Sequence, residues 1–564
     1  MQNFIKKYPE FCAVCLLTLL CLFFLFFGLD FYPILDDSEA LFASVAKNIL
    51  VHDDFKLLVL NMQPFLDKPP LYFWLIAKSI NLFDTFNELS VRLPNTIISF
   101  IFVFFIYFMG KHVLSRKFGL VSAIILLTNL AYLILSHVAL FDITFSFFIT
   151  FAVYFAFLAN LEDDLSKRKK YYWWIFYFLC GLACLVKGAV GIILPFVIVA
   201  TYYFLIRKLK DVFKPLHIIV GLLIFAPIAL PWFYEMSILF GKEFIRNYIY
   251  IPNFTSFFKN LVYYAFLFIP AFMPWIVIFY GDLFDVVNKI IVRFKNNTHF
   301  SIITVEQKVS LFSLVYFAIT YLTICMISTS PFAILLLVPS ASMLTAYLLC
   351  SSDVNEFYKK KVVSFSTYIV AILFTVSTIS FAFLYMFLPL NLFEQVQQFK
   401  NFLVIGINFL SILLLLKLKN KDVLAMISSY VFSMFFIIVF TVVHGFNMFY
   451  FSGENELVEY AKFAKSKDTK LIVYNLPVKP SILMESSDKV YFIDKKQILD
   501  MVDVLNSEKN KICYIILKNK DVSDTLQKLP MQIYLLDSGD KYSIYSNIEL
   551  PKKAISLSKF YNKN

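Results

Sequence analysis

Residues 36–50 read DDSEALFASVAKNIL, and residues 61–74 read NMQPFLDKPPLYFW. Asp36, Asp37, Glu39, Asp53, Asp54, Asp67 and Lys68 crowd into this loop, which follows an apolar run at 11–29. Charge beside a bilayer is costly unless it is solvated, paired or at work. The reading of the whole chain therefore turns on which side of a membrane the loop occupies, and on which other polar residues share that side.

That a membrane is involved follows from composition. The chain has 564 residues, of which 60% are hydrophobic and 16% charged, with a mean hydropathy of +0.73. A soluble domain is about 25% charged. Apolar runs of roughly 20 residues recur along the chain, as transmembrane helices require. The net charge of +12 does not indicate nucleic acid. Its Lys and Arg form short clusters between apolar runs, and no basic face with a reader motif is present. Lys6 and Lys7 precede the first run, and no small-x-small cleavage site follows it, so a retained helix is expected there. Seven of the eight cysteines lie in or beside apolar runs and Cys513 stands alone in the polar tail, so neither a disulfide framework nor a Cys-based metal site is expected.

The pattern predicts about thirteen spans, near 11–29, 91–110, 119–136, 139–159, 171–186, 188–206, 216–234, 260–281, 309–327, 331–350, 363–389, 401–416 and 423–450. The short run 71–83 after Pro69-Pro70 reads as an interfacial helix or a re-entrant piece. With the N-terminus inside, all the basic connectors fall on one face, which the positive-inside rule makes cytoplasmic. The opposite face then holds the loop 30–90, the turn 137–142, the turn at Lys187, the loop 235–259 and the tail after 451. From about Ser452, β-rich runs alternate with helical patterns, which predicts a small α/β domain. The expected fold is a polytopic α-helical membrane domain over 1–451 and a C-terminal α/β domain over 452–564.

The outer face carries the candidate chemistry. After Asp36, Asp37 and Glu39, apolar spacing predicts an amphipathic helix with its acids at the favourable N-terminal end. Pro69-Pro70 holds Asp67 and Lys68 in an extended stop. Asp142 opens an otherwise apolar span and needs a partner. His137 reads as a capping or interface residue. Lys187, in CLVKGAVG, has little loop to escape into, and phosphate is its natural partner. Arg246 is the best anion ligand of the loop 235–259, and Arg92, at the head of a span, either holds a phosphate or anchors its helix. Carboxylates also suit a divalent cation or a sugar amine, although no ligand spacing demands a metal. Acids and cations on one membrane surface imply a substrate with a lipid tail and a charged head.

These residues carry a resemblance. DDSEALFASVAKNIL, QPFLDKPPLYFW, VRLP, LFDITFSFF, CLVKGAVGIILP and LPWFYEM occur in this order. The series resembles the lipid A aminoarabinose transferase family, within the polyprenyl-phosphate-dependent transferases related to protein O-mannosyltransferases. The resemblance implies a GT-C fold with thirteen spans and a periplasmic domain, in the bacterial inner membrane. It implies sugar transfer from an undecaprenyl-phosphate-linked donor to lipid A, with inversion, the sugar being aminoarabinose or galactosamine. Asp36, Asp37 and Glu39 match the family's acidic motif, Asp67-Lys68 a Glu-Lys, and Asp142 the second acidic site. Three places depart from the pattern. Leu41 and Phe42 replace Arg and Tyr, IPNFTSF replaces a His- and Arg-bearing stretch, and Ser328 to Pro331 lack the Lys of S-x-x-K. Transfer to a protein or another glycan is the alternative reading. A transporter, with polar groups at mid-membrane and repeated halves, fits the sequence less well.

Overall fold

Pro9 opens the first helix, α1 (Pro9–Phe26), at a position where its missing N–H costs nothing. The computed structural model describes residues 7–31, 33–34, 37–163, 166–248, 254–296, 304–327, 330–387, 423–424, 426–435, 454–465, 469–486, 489–508, 511–539 and 541–550. Two compact units arise: one within 1–27, 67–72 and 92–441, the other within 28–66, 73–91 and 442–564.

The helices follow local rules. After α1 come α2 (Asp37–His52) and α3 (Leu71–Phe83), the latter starting directly after Pro69-Pro70. α4 (Glu88–Val113) is opened by a reciprocal cap, in which Asn87 Oδ1 accepts from the Ser90 N–H at 2.9 Å and Ser90 Oγ accepts from the Asn87 N–H at 3.1 Å. α5 (Arg116–Leu127) and α6 (Leu130–Ser136) meet at a 64° bend. Then follow α7 (Phe141–Leu161), α8 (Lys167–Lys187), α9 (Val190–Leu205), α10 (Leu209–Val212), α11 (Pro215–Tyr248), α12 (Phe254–Ala271), α13 (Ile276–Lys295), α14 (Val305–Ile327), the 3-10 turn Pro331–Leu337, α15 (Val338–Cys350), α16 (Glu356–Phe387) and α17 (Met426–Phe435).

Among the described residues, six helices are long and apolar enough to cross a membrane, or seven if the bent pair α5–α6 is one span. The stretch Pro331–Cys350 is almost wholly enclosed, with α5, α13 and α14 packed around α15. α8 packs on α7, α9 and α11.

Several expected boundaries change. The span at 260–281 is two helices, α12 and α13, because the chain turns over 272–275. The bend in α5–α6 and this turn lie against each other. The Leu130 N–H donates to Met273 O at 3.1 Å, and Trp275 Nε1 donates to Thr128 Oγ1 at 3.1 Å. Backbone groups released by one interruption are thus satisfied at the other, as a low-dielectric interior demands. The loop expected over 235–259 is helical as far as Tyr248. Its helix-forming sequence continues through a kink at Gly241, whose φ of 55° suits glycine. The expected span 401–416 lies outside the described residues.

Three ionic ties join connectors that the sequence places on the cytoplasmic side. Lys111 and Arg116 reach Glu10 at 2.7 and 3.3 Å. Lys169 and Lys214 reach Asp211 at 3.0 and 2.8 Å. Lys289 reaches both Asp285 and Asp353 at 2.8 Å. Asp353 also accepts from Gln307 at 3.0 Å and Tyr347 at 2.9 Å. Burial alone would raise the Asp353 carboxyl, but these donors outweigh it and hold its pKa below the ordinary value.

In the other unit, the C-terminal sequence forms α18 (Glu454–Ala461), α19 (Pro480–Glu485), α20 (Ile498–Ser507) and α21 (Val522–Lys528) around a sheet. Numbered after the small hairpin strands β1 (Val59–Leu60) and β2 (Gln63–Pro64), its strands are β3 (Thr469–Tyr474), β4 (Val490–Ile493), β5 (Ile512–Lys518), β6 (Tyr534–Ser538) and β7 (Tyr542–Ser546), in the order β4-β3-β5-β7-β6. β3 pairs in parallel with β4 and β5, while β7 pairs antiparallel with β5 and β6. Alternate residues feed two cores. Leu471, Val473, Tyr514 and Ile516 face one, and Ile472, Tyr474, Cys513, Ile515 and Leu517 face the other. Both sheet faces are therefore covered.

Candidate active site

The strongest cluster of predicted residues lies at one end of the membrane unit. Phe141 and Asp142 occupy the first turn of α7, where the helix dipole favours a carboxylate. Asp142 is buried at 3% exposure. Lys187 ends α8, and Gly188, with φ of 69°, turns the chain there while its N–H caps Cys184 O at 2.8 Å. This left-handed turn leaves the lysine at the helix terminus. Its Nζ stands 3.9 Å from Asp142 Oδ1. That separation is an electrostatic pairing and is too long for a hydrogen bond.

Lys68 arrives from the loop. Its ammonium lies 5.9 Å from the centre of the Phe141 ring, while that of Lys187 lies 5.1 Å from the same ring and 5.3 Å from the ring of Phe145. Both cations act on Asp142. Two ammonium groups, one carboxylate and a shared aromatic face thus meet in one place. Cation–π attraction offsets part of the repulsion between the lysines. The three groups together have a surplus of one positive charge, which suits a phosphate oxygen.

Other candidates fall elsewhere. Asp67 is exposed. Arg92 lies in α4 at 0% exposure, among the largest wholly buried side chains. Its neighbour Asn95 donates to Leu135 O at 2.8 Å and Val138 O at 2.7 Å, tying α4 to the turn before α7. His137 is the C-cap of α6, as expected. Its Nδ1 lies 2.8 Å from Leu133 O and its Nε2 3.2 Å from Phe27 O. Arg246 belongs to α11 rather than to a loop, and its side chain lies outside the described residues. Asp36 lies outside them as well, and Asp37 begins α2.

Glu39 lies in the first turn of α2 at 1% exposure. Ala40, Phe42, Ala43, Val45, Ala46 and Ile49 are buried along this helix, so it is more enclosed than an amphipathic surface helix. Phe141 is the site residue that the sequence reading passed over. The signal was its place immediately before Asp142 in the first turn of a span. Among the described residues, no three His, Cys, Asp or Glu side chains gather as a metal site.

Residues 67–234 match the family described as dolichyl-phosphate-mannose-protein mannosyltransferase. These residues include Lys68, Asp142 and Lys187. An uncharacterised protein of Aquifex aeolicus is 22% identical over 263 residues, which are 46% of this chain, and the match spans about half (51%) of that relative's length. ArnT from Cupriavidus metallidurans, solved bound to undecaprenyl phosphate, superposes with a TM-score of 0.74 at 15% identity, covering 95% of this chain and 98% of that one. The oligosaccharyltransferase of Archaeoglobus fulgidus gives 0.50 at 10% identity, covering 97% and 75%. Residues 67–234 thus resemble the dolichyl-phosphate-mannose-protein mannosyltransferases, and the chain as a whole shares the fold of ArnT.

Proposed function

We propose that the chain moves a sugar, in the first instance an amino sugar, from undecaprenyl phosphate to lipid A at the periplasmic face of the bacterial inner membrane. The observation that carries this reading is the meeting of Lys68, Lys187 and Asp142 around Phe141. It offers an anion site at a helix terminus, within the stretch that matches the mannosyltransferase family.

The reaction is an in-line displacement. An acceptor oxygen forms a bond to the anomeric carbon as the bond from that carbon to the donor's phosphate oxygen breaks, with inversion. The electron pair leaves on polyprenyl phosphate. Lys187 and Lys68 stabilise this charge as it develops. Asp142 holds Lys187 in place without binding it so closely that phosphate is excluded. A phosphate acceptor on lipid A is already a nucleophile, so Asp36, Asp37 and Glu39 then orient the sugar. With a hydroxyl acceptor, one of these acids takes its proton as general base. A divalent cation on these acids would do the same orienting work, and transfer that survives EDTA removes it from the reaction.

Transfer to a protein hydroxyl is the second reading, favoured by the family description of the 67–234 match. Purified protein is given labelled undecaprenyl-phosphate sugar with lipid A or with a Ser/Thr-rich peptide. Label in lipid A supports the first reading, label in the peptide the second, and release into neither defeats both.

A further inference from the structure

The C-terminal α/β fold holds the loop that carries the acids, and three side chains make the attachment. Lys47, on α2, points its ammonium at two carbonyls at the C-terminal end of α19, Met484 O at 2.7 Å and Ser486 O at 3.2 Å. The same ammonium lies 5.3 Å from the centre of the Phe86 ring. One helical turn earlier, Ser44 Oγ donates to Pro480 O at 3.3 Å. The last carbonyls of a helix have no donor within the helix, and Lys47 donates to two at this end of α19.

The third attachment is Asn61. With Met62 it forms the two-residue turn between β1 and β2, at φ of 49° and 63°. Asparagine tolerates this left-handed conformation. Its side chain then behaves as a piece of strand. Nδ2 donates to Val490 O at 3.1 Å, and Oδ1 accepts from the Val490 N–H at 2.9 Å. Val490 begins β4, which is an edge of the sheet, so Asn61 occupies groups that an edge would otherwise leave open. Leu60 packs against the adjoining core, to which Val490 and Ile482 belong.

We infer that the C-terminal domain is a holder for the acidic helix, and that Lys47 and Asn61 are positioning residues for Glu39. This rests on the role proposed above for the acids. Glu39 lies two turns from Lys47 on one rigid helix, so a clamp on Lys47 limits how far Glu39 can shift or rotate. A misplacement of about 1 Å in a reacting group costs about a hundredfold in rate.

The test uses full-length protein in nanodiscs and three readouts: labelled sugar transfer, affinity for undecaprenyl phosphate, and backbone hydrogen exchange over 37–52 and over β5. Lys47→Met keeps the stem but removes the ammonium. Asn61→Gly keeps the turn but removes the amide. The double variant is expected to exchange at least about tenfold faster over 37–52, with β5 unchanged. Its kcat should fall between about tenfold and a hundredfold, while KM for the donor and affinity for undecaprenyl phosphate hold. Lys47→Arg should restore most of the rate. Unchanged exchange over 37–52 overturns the clamp. Faster exchange there without loss of kcat overturns its role in transfer. Loosening of β5 together with 37–52 reduces both residues to ordinary structural parts and also overturns the proposal. Wild-type protein without transfer to any acceptor would sink the functional reading instead, and the exchange arm would still decide the clamp.

Discussion

The membrane unit contains two kinds of lysine–aspartate meeting. In the basic connectors, Lys289 contacts Asp285 and Asp353 at 2.8 Å, and the Asp353 carboxylate takes two further hydrogen bonds. At the other kind of site, Lys187 stands 3.9 Å from Asp142, and Lys68 rests beside a ring instead of on a carboxylate. The first arrangement is closed, with each charge answered by protein. The second has the same residue types at a looser spacing and with a surplus of positive charge. Closed pairs hold helices together, whereas the loose and unbalanced group is the one proposed above to take a phosphate. Residue identity alone would not separate the two.

The sharpest way to break this contrast is to alter the loose group. Asp142→Asn and Lys187→Ala should each lower sugar transfer by on the order of a hundredfold with little change in thermal unfolding. Transfer at the wild-type rate in both would remove the site. Lys68→Ala should cost about tenfold, more in kcat than in donor KM, measured by initial rates across donor concentrations. The closed group should behave in the opposite way. Lys289→Met should leave transfer per folded molecule unchanged and cost roughly 1–2 kcal/mol in stability, read from unfolding in detergent. The Asp353 pKa is lower in the folded protein than the ordinary carboxyl value of about 3.9. Its contribution is therefore present above that value and lost as pH falls below it. Asp353→Asn should flatten the acid limb of the stability curve in that window. Glu10→Gln touches half-exposed partners and should cost no more than about 0.5 kcal/mol.

Much of this was legible in the sequence because it depends on local pattern. The alternation of β-rich and helical runs after Ser452 appears as the strands and helices of the C-terminal sheet fold. Asp142 and Lys187 stood out as charges at the ends of apolar runs. What escaped was either too short or too distant. Helix α19 has six residues, fewer than two turns, and leaves no periodicity to read. The turn at 272–275 lies in a run that is apolar throughout, and hydropathy does not register a change in backbone direction. The approach of Lys68 to Phe141 joins residues far apart in the chain, and no window along the sequence contains both. The clamp at Lys47 is of the same kind. Its partners are backbone carbonyls, which have no residue identity to recognise.

The paired interruptions at 128–130 and 273–275 carry a consequence for how this chain can change. Each supplies what the other lacks: Met273 O receives the Leu130 N–H, and Thr128 Oγ1 receives the Trp275 indole. A substitution that straightened one helix would strand a polar group in its neighbour. The two segments can therefore drift only in step. Across descendants of this chain they should show strong epistasis, with replacements at Thr128 tolerated only on backgrounds already altered at Trp275.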